Sequence, residues 1–157
     1  MTDAEQSTTG RARAETRRQF LGSVGAGGVG LTAVVSLAGC LESTSGGAYD
    51  GYLGSANEFE EVVDRTGQST VEVAVGGGDG LAFVPAAVEV STGTTVVWRW
   101  TGRGGRHNVA AESGAFESEY YVAEGQTFER TFSEAGVVKY YCAPHRAAGM
   151  LGVVEVV

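Results

Sequence analysis

From Tyr49 onward, apolar residues recur at every second position rather than every third or fourth. Val71, Val73 and Val75 alternate with Glu72 and Ala74. Val96, Trp98 and Trp100 share one face of a segment whose other face carries Val97 and Arg99. Phe128 and Phe132 bracket a polar run, and Val137–Cys142 and Val153–Val157 are β-branched and aromatic. This is the pattern of half-buried strands. Turn signals separate them at Gly76–Gly80, Thr92-Gly93, Gly102–Gly105, Ser113-Gly114, Glu124-Gly125 and Ala135-Gly136. Short strands with a turn roughly every 8–12 residues predict an all-β sandwich or barrel with a single core over residues 49–157. Segment Leu53–Asp64 breaks the alternation and predicts one short helix or an irregular lead-in. No internal repeat is present.

The first 48 residues follow a different pattern. Polar residues 1–15 precede Thr16-Arg17-Arg18-Gln19-Phe20-Leu21, and Gly22–Ala38 is an uncharged run of 17 residues broken by five glycines. A charged start, a short apolar run and small residues before a cleavage point mark a signal peptide. At 17 residues the run is at the lower limit for a membrane-spanning helix, and its glycines weaken it further as a helix. Arg17 and Arg18 are similar to the twin-arginine signal that exports folded proteins. Leu37-Ala38-Gly39-Cys40 is similar to a lipobox, in which Cys40 becomes the lipidated first residue. Residues 1–39 are thus expected to be a twin-arginine lipoprotein signal peptide. Residues 40–48, rich in Ser, Thr and Gly, are expected to be a flexible tether. An uncleaved N-terminal anchor is the alternative. Either way the domain is expected on the outer face of the cell membrane, tied to it, and monomeric.

Charge narrows the partners. The chain carries a net charge of −8 and a single lysine, Lys139, so nucleic acid is not an expected partner. From Cys40 on there are seven Lys/Arg and 16 Asp/Glu. An acidic surface poor in lysine fits a halophile's salt-rich milieu, where net charge maintains solubility.

The candidate chemistry sits in the last loop, Tyr141-Cys142-Ala143-Pro144-His145-Arg146-Ala147-Ala148-Gly149-Met150. A thiolate, an imidazole and a thioether at C-x2-H-x4-M, between two strand-like segments, suit a soft, redox-active metal. Two imidazoles and a thiolate in a trigonal plane with a weak axial methionine describe a blue-copper electron-transfer site. The second imidazole must come from elsewhere, and the chain has one other histidine, His107, after the glycine-rich run 102–105. His107, Cys142, His145 and Met150 therefore form the candidate ligand set. Two alternatives remain at this point. Zinc takes Cys and His but rarely a thioether, and a Cys40–Cys142 disulfide would consume the lipobox cysteine. Two histidines are too few for a copper enzyme with a substrate-binding metal, so no enzymatic activity is expected. Copper storage or delivery is the alternative to electron transfer, although no Met- or His-rich tract is present.

At these residues a specific similarity appears. Residues 81–157 resemble plastocyanin, and residues 49–157 resemble the haloarchaeal halocyanins within that family. The carrying motifs are Leu81-Ala82-Phe83-Val84-Pro85, His107-Asn108-Val109, Tyr140-Tyr141-Cys142-Ala143-Pro144-His145 and Gly149-Met150-Leu151-Gly152. The resemblance implies a cupredoxin Greek-key β-sandwich and one type 1 copper, with His107, Cys142 and His145 equatorial and Met150 axial. It implies that Asn108 ties the two ligand loops together by hydrogen bonds, and that Tyr141 lies on a longer electron path. The function it implies is one-electron transfer between redox proteins of a membrane electron-transfer chain. Residues 111–126 are shorter than in plant plastocyanins, so the partner surface built there is not carried over. His145 is expected to be the exit ligand, rimmed by Pro144, Ala147, Ala148 and Leu151.

Overall fold

The computed structural model describes residues 48–157. Arg17, Arg18, Cys40 and most of the tether lie outside the described residues.

Among the described residues, nine strands form two sheets. They are β1 (Val63–Asp64), β2 (Thr70–Gly77), β3 (Ala82–Val84), β4 (Ala87–Val90), β5 (Thr94–Trp100), β6 (Ala110–Ala111), β7 (Thr127–Phe132), β8 (Gly136–Tyr141) and β9 (Leu151–Val156). One sheet has the order β1-β4-β9-β8-β6 and the other β3-β2-β5-β7. The alternation along β2 and β5 is realised as expected: Val71, Val73, Val75, Val96, Trp98 and Trp100 are buried, while Glu72 and Arg99 are exposed and paired with each other. Trp98 stands at the centre of the core, with Tyr140 edge-on at 5.3 Å and Phe116 and Phe128 each at 5.7 Å. Alternation does not fix strand direction. Three pairings are parallel, β1 with β4, β4 with β9 and β2 with β5, because the chain crosses between sheets before returning to a neighbour.

The lead-in departs from a simple helix. A 3-10 turn occupies Ala48–Ser55, an irregular stretch follows, and Val63–Asp64 adds an edge strand. Leu53 holds the turn down by packing with Ala87, Leu151 and Val153. Two hydroxyls fasten it further: Tyr49 donates to Glu155 Oε2 at 2.6 Å, and Tyr52 to the Tyr140 carbonyl at 2.8 Å. The first glycine run is also shorter as a turn than its sequence suggests. β2 continues through Gly77, with a register shift between Val75 and Gly77.

Two connections matter for chemistry. The loop closing the β8–β9 hairpin carries residues 142–150. The β5–β6 connection carries His107. Because β6 pairs antiparallel with β8 and sets Ala110 opposite Tyr141, residues 107–109 are brought alongside the start of the 142–150 loop.

Candidate metal centre

Three donor atoms from these two connections converge. Cys142 Sγ lies 3.6 Å from His107 Nδ1 and 3.4 Å from His145 Nδ1, and the two nitrogens are 3.1 Å apart. A point equidistant from the three is about 2.0 Å from each. Imidazole nitrogen and thiolate sulfur bind a divalent ion at roughly 2.0–2.3 Å.

The backbone orients each donor. His107 exchanges two 3.0 Å hydrogen bonds with Tyr121, its N–H donating to the Tyr121 carbonyl and its carbonyl accepting from Tyr121 N–H. Its carbonyl also accepts from Trp100 Nε1 at 3.2 Å. On the ring, Nε2 is 2.8 Å from the Arg103 carbonyl. A carbonyl can only accept, so Nε2 carries the proton and Nδ1 presents a lone pair to the site. Cys142 N–H donates to the Met150 carbonyl at 3.1 Å. Cys142's own carbonyl accepts from His145 N–H, and His145's from Met150 N–H, both at 3.1 Å. A 3-10 turn over Ala143–Ala148, opened by Pro144 and ended by Gly149 in the left-handed region, folds the loop back.

Burial sets the proton inventory. It lowers the pKa of His107, as does the neighbouring His145, against the opposite pull of the Arg103 carbonyl. It raises the Cys142 thiol, against the N–H groups of Asn108 and His145 that favour the thiolate. The site gathers two imidazoles and a sulfhydryl with their donor atoms facing one another. His107 Nδ1 turns its lone pair toward His145 Nδ1 at 3.1 Å and the Cys142 sulfur at 3.6 Å, and a soft ion bound there would displace the thiol proton. The donor set fits copper.

Asn108, fully buried, spans the two connections. Its Oδ1 accepts from Ala143 N–H at 2.8 Å and its Nδ2 donates to Glu117 Oε1 at 3.0 Å. Next to it, Val109 N–H donates to Ser118 Oγ at 2.9 Å. Met150 is fully buried in the main core cluster with Cys142, and its backbone bonds to both Cys142 and His145. Tyr141 is half-buried, with the Arg146 guanidinium 4.3 Å from its ring centroid; Arg146 also pairs with Glu112.

The rim requires one correction. Pro144, Ala147 and Ala148 are exposed around the partly exposed His145, but Leu151 is buried. As the first residue of β9 it points into the second core cluster with Leu53, Ala87 and Val153. Sequence reasoning missed four groups that shape the site: the Arg103 carbonyl, Trp100, Asn57 and Gly76. Of these, Gly76 left a signal, since a glycine inside a strand pattern marks a close backbone approach.

The plastocyanin/azurin family of copper binding proteins matches this chain over residues 69–157. Halocyanin of Natronomonas pharaonis is 52% identical over 100 residues, which cover 61% of this chain and 61% of the halocyanin. A plastocyanin of Capsella bursa-pastoris is 38% identical over 99 residues, covering 55% of this chain and 99% of that one. Among solved structures, a purple cupredoxin from Nitrosopumilus maritimus is similar at 29% identity and a TM-score of 0.47, covering 55% of this chain and 99% of the other. The matched region thus spans less than two thirds of the halocyanin's own length.

Proposed function

This chain belongs to the plastocyanin/azurin family of copper binding proteins, and from that membership we propose that it carries single electrons on one type 1 copper. In this reading His107, Cys142, His145 and Met150 would hold the copper. The observation that carries it is the closed triangle of two imidazole nitrogens and one sulfur, with sides of 3.1–3.6 Å. Copper supplies the one-electron couple. The chain's own residues keep the donors still while charge changes: the Arg103 carbonyl fixes the His107 ring, and Asn108 binds the two loops together. A scaffold that holds one geometry suits both oxidation states, and the weak axial ligand tunes the potential. Cyclic voltammetry of the copper-loaded chain tests this reading. A reversible one-electron wave is expected; uptake of copper(I) with no reversible wave would point to storage or delivery instead.

His107 and Cys142 are buried while His145 is partly exposed, so the edge of His145 is the proposed path for electrons. Tyr141 is proposed for a longer path. The exposed Pro144, Ala147 and Ala148 form a small apolar rim of the kind that supports brief redox encounters. In a brine near 1 M salt the Debye length is roughly 3 Å, so contact at this rim outweighs long-range steering by the acidic surface. Electron self-exchange between oxidised and reduced copies, followed by NMR line broadening at molar salt, checks this. Ala148→Asp is expected to slow it about tenfold, because a carboxylate must then be desolvated at the contact. Glu72→Gln, on the exposed face of β2, is expected to leave it unchanged. A larger effect from Glu72→Gln would refute docking through the rim.

Export by the twin-arginine route and lipidation at Cys40 complete the proposal, placing the carrier at the outer membrane face among redox proteins of an electron-transfer chain. The support is the order and spacing of Arg17-Arg18, the uncharged run and Cys40. The mass of the mature N-terminal peptide tests it: an unmodified Cys40, or a chain retaining residues 1–39, would contradict it.

A further inference from the structure

Asn57 lies in the irregular lead-in, outside the residues 69–157 shared with the family, yet it grips the loop that carries His145 and Met150. Its backbone N–H donates to the Gly149 carbonyl at 2.9 Å. Its side-chain amide donates to the Ala148 carbonyl at 2.7 Å and to the Leu81 carbonyl at 2.8 Å. Both acceptors are carbonyls, so only the NH2 group can face them. The other side of the contact is equally closed. Gly149 has φ +86, and a Cβ there would lie 2.9 Å from Asn57 Oδ1 and press on the Ser55 carbonyl. One asparagine thus joins three segments: the lead-in, the connection before β3 and the ligand loop.

The grip falls one peptide from Met150. Met150 N–H donates to the His145 carbonyl, and the Met150 carbonyl accepts from Cys142 N–H, each at 3.1 Å. A shift of the 148–149 carbonyls is therefore transmitted to Met150 and to both hairpin ligands. A thioether is a weak axial ligand and cannot hold its own distance, so the backbone beneath it decides where it sits.

We propose that Asn57 is a positioning residue of the copper centre, fixing the 148–150 backbone that carries Met150 and is hydrogen-bonded to Cys142 and His145. The inference rests on the functional reading above. It makes the lead-in, which precedes the family's shared region, part of the metal site's support.

The test compares wild type with Asn57→Ala, Asn57→Asp and Tyr49→Phe. The aspartate keeps the shape of the side chain but loses the NH2 donors. Tyr49→Phe removes the Tyr49–Glu155 bond, which fastens the same lead-in to β9 without touching the ligand loop. In the metal-free chain, amide hydrogen exchange at Gly149 and Met150 is expected to rise about tenfold in both Asn57 variants, the loss of roughly one net hydrogen bond. It should stay at the wild-type rate in Tyr49→Phe. With copper bound, both Asn57 variants are expected to hold the metal about tenfold less tightly and to shift in blue absorption and potential, with Tyr49→Phe again unchanged. Wild-type exchange, affinity and spectrum in Asn57→Ala would overturn the inference while leaving the function standing. Equal shifts in Tyr49→Phe would do the same, by showing that attachment of the lead-in alone matters. A wild-type chain with no blue band would overturn the functional reading and this inference together.

Discussion

Replacing Gly76 with alanine is expected to cost about 2–4 kcal/mol of stability and to weaken copper binding about 10–100-fold. Gly76 has φ +82, a conformation that costs a residue with a Cβ about 1–2 kcal/mol. The added methyl would also lie 2.6 Å from the Arg103 carbonyl, 2.9 Å from Thr101 Oγ1 and 3.3 Å from His107 Nε2. Thr101 Oγ1 already donates to the Gly76 carbonyl at 2.7 Å, so the connection cannot slide away without losing that bond. The Arg103 carbonyl is the group that must give, and it is the acceptor that keeps the proton on His107 Nε2. Once it is displaced, the imidazole is free to change tautomer and turn Nδ1–H toward the metal position. Chemical denaturation and competitive copper titration read the two effects separately. Wild-type copper affinity in a folded Gly76→Ala chain would show that the Arg103 carbonyl does not control the ring.

Asn108→Ala is expected to cost about 2 kcal/mol and about 10–100-fold in copper affinity. The substitution strands Ala143 N–H and removes the hydrogen bond to Glu117, both at the junction of the two ligand connections. His107 and Cys142 flank that junction, so loosening it lets their donor atoms drift apart even though neither ligand is altered. Asn108→Asp keeps an acceptor for Ala143 N–H but sets a carboxylate beside Glu117, so its affinity should fall between alanine and wild type. Copper titration with a chelator competitor measures all three. An Asn108→Ala chain that binds as tightly as wild type would remove Asn108 from the support of the site.

Much of this architecture was legible in the residues alone. Val71, Val73 and Val75, and the Val96–Trp98–Trp100 face, declare strands because a period of two is a direct consequence of the pleat. The candidate ligand set was legible because His107 and His145 exhaust the chain's histidines, and Cys142 and Met150 lie on one short loop. Strand direction was not, since the parallel pairing of Val71 with Val96 depends on which sheet the chain crosses to. The burial of Leu151 escaped for a related reason: neighbours in sequence at the end of a turn part company once β9 begins and alternate residues face opposite sides. The support given by Asn57 and the Arg103 carbonyl had no sequence signature. Neither a backbone acceptor nor an isolated asparagine in an irregular segment carries a periodicity or a spacing.

The central claim is a sulfur–copper bond at residue 142 completed by the imidazoles of residues 107 and 145. Visible absorption of the copper(II)-loaded chain beside Cys142→Ser tests it most directly. An intense blue band in the wild type, absent from the serine variant, is the expected result. A wild-type chain that takes up copper(II) without that band, or a serine variant that retains it, would contradict it.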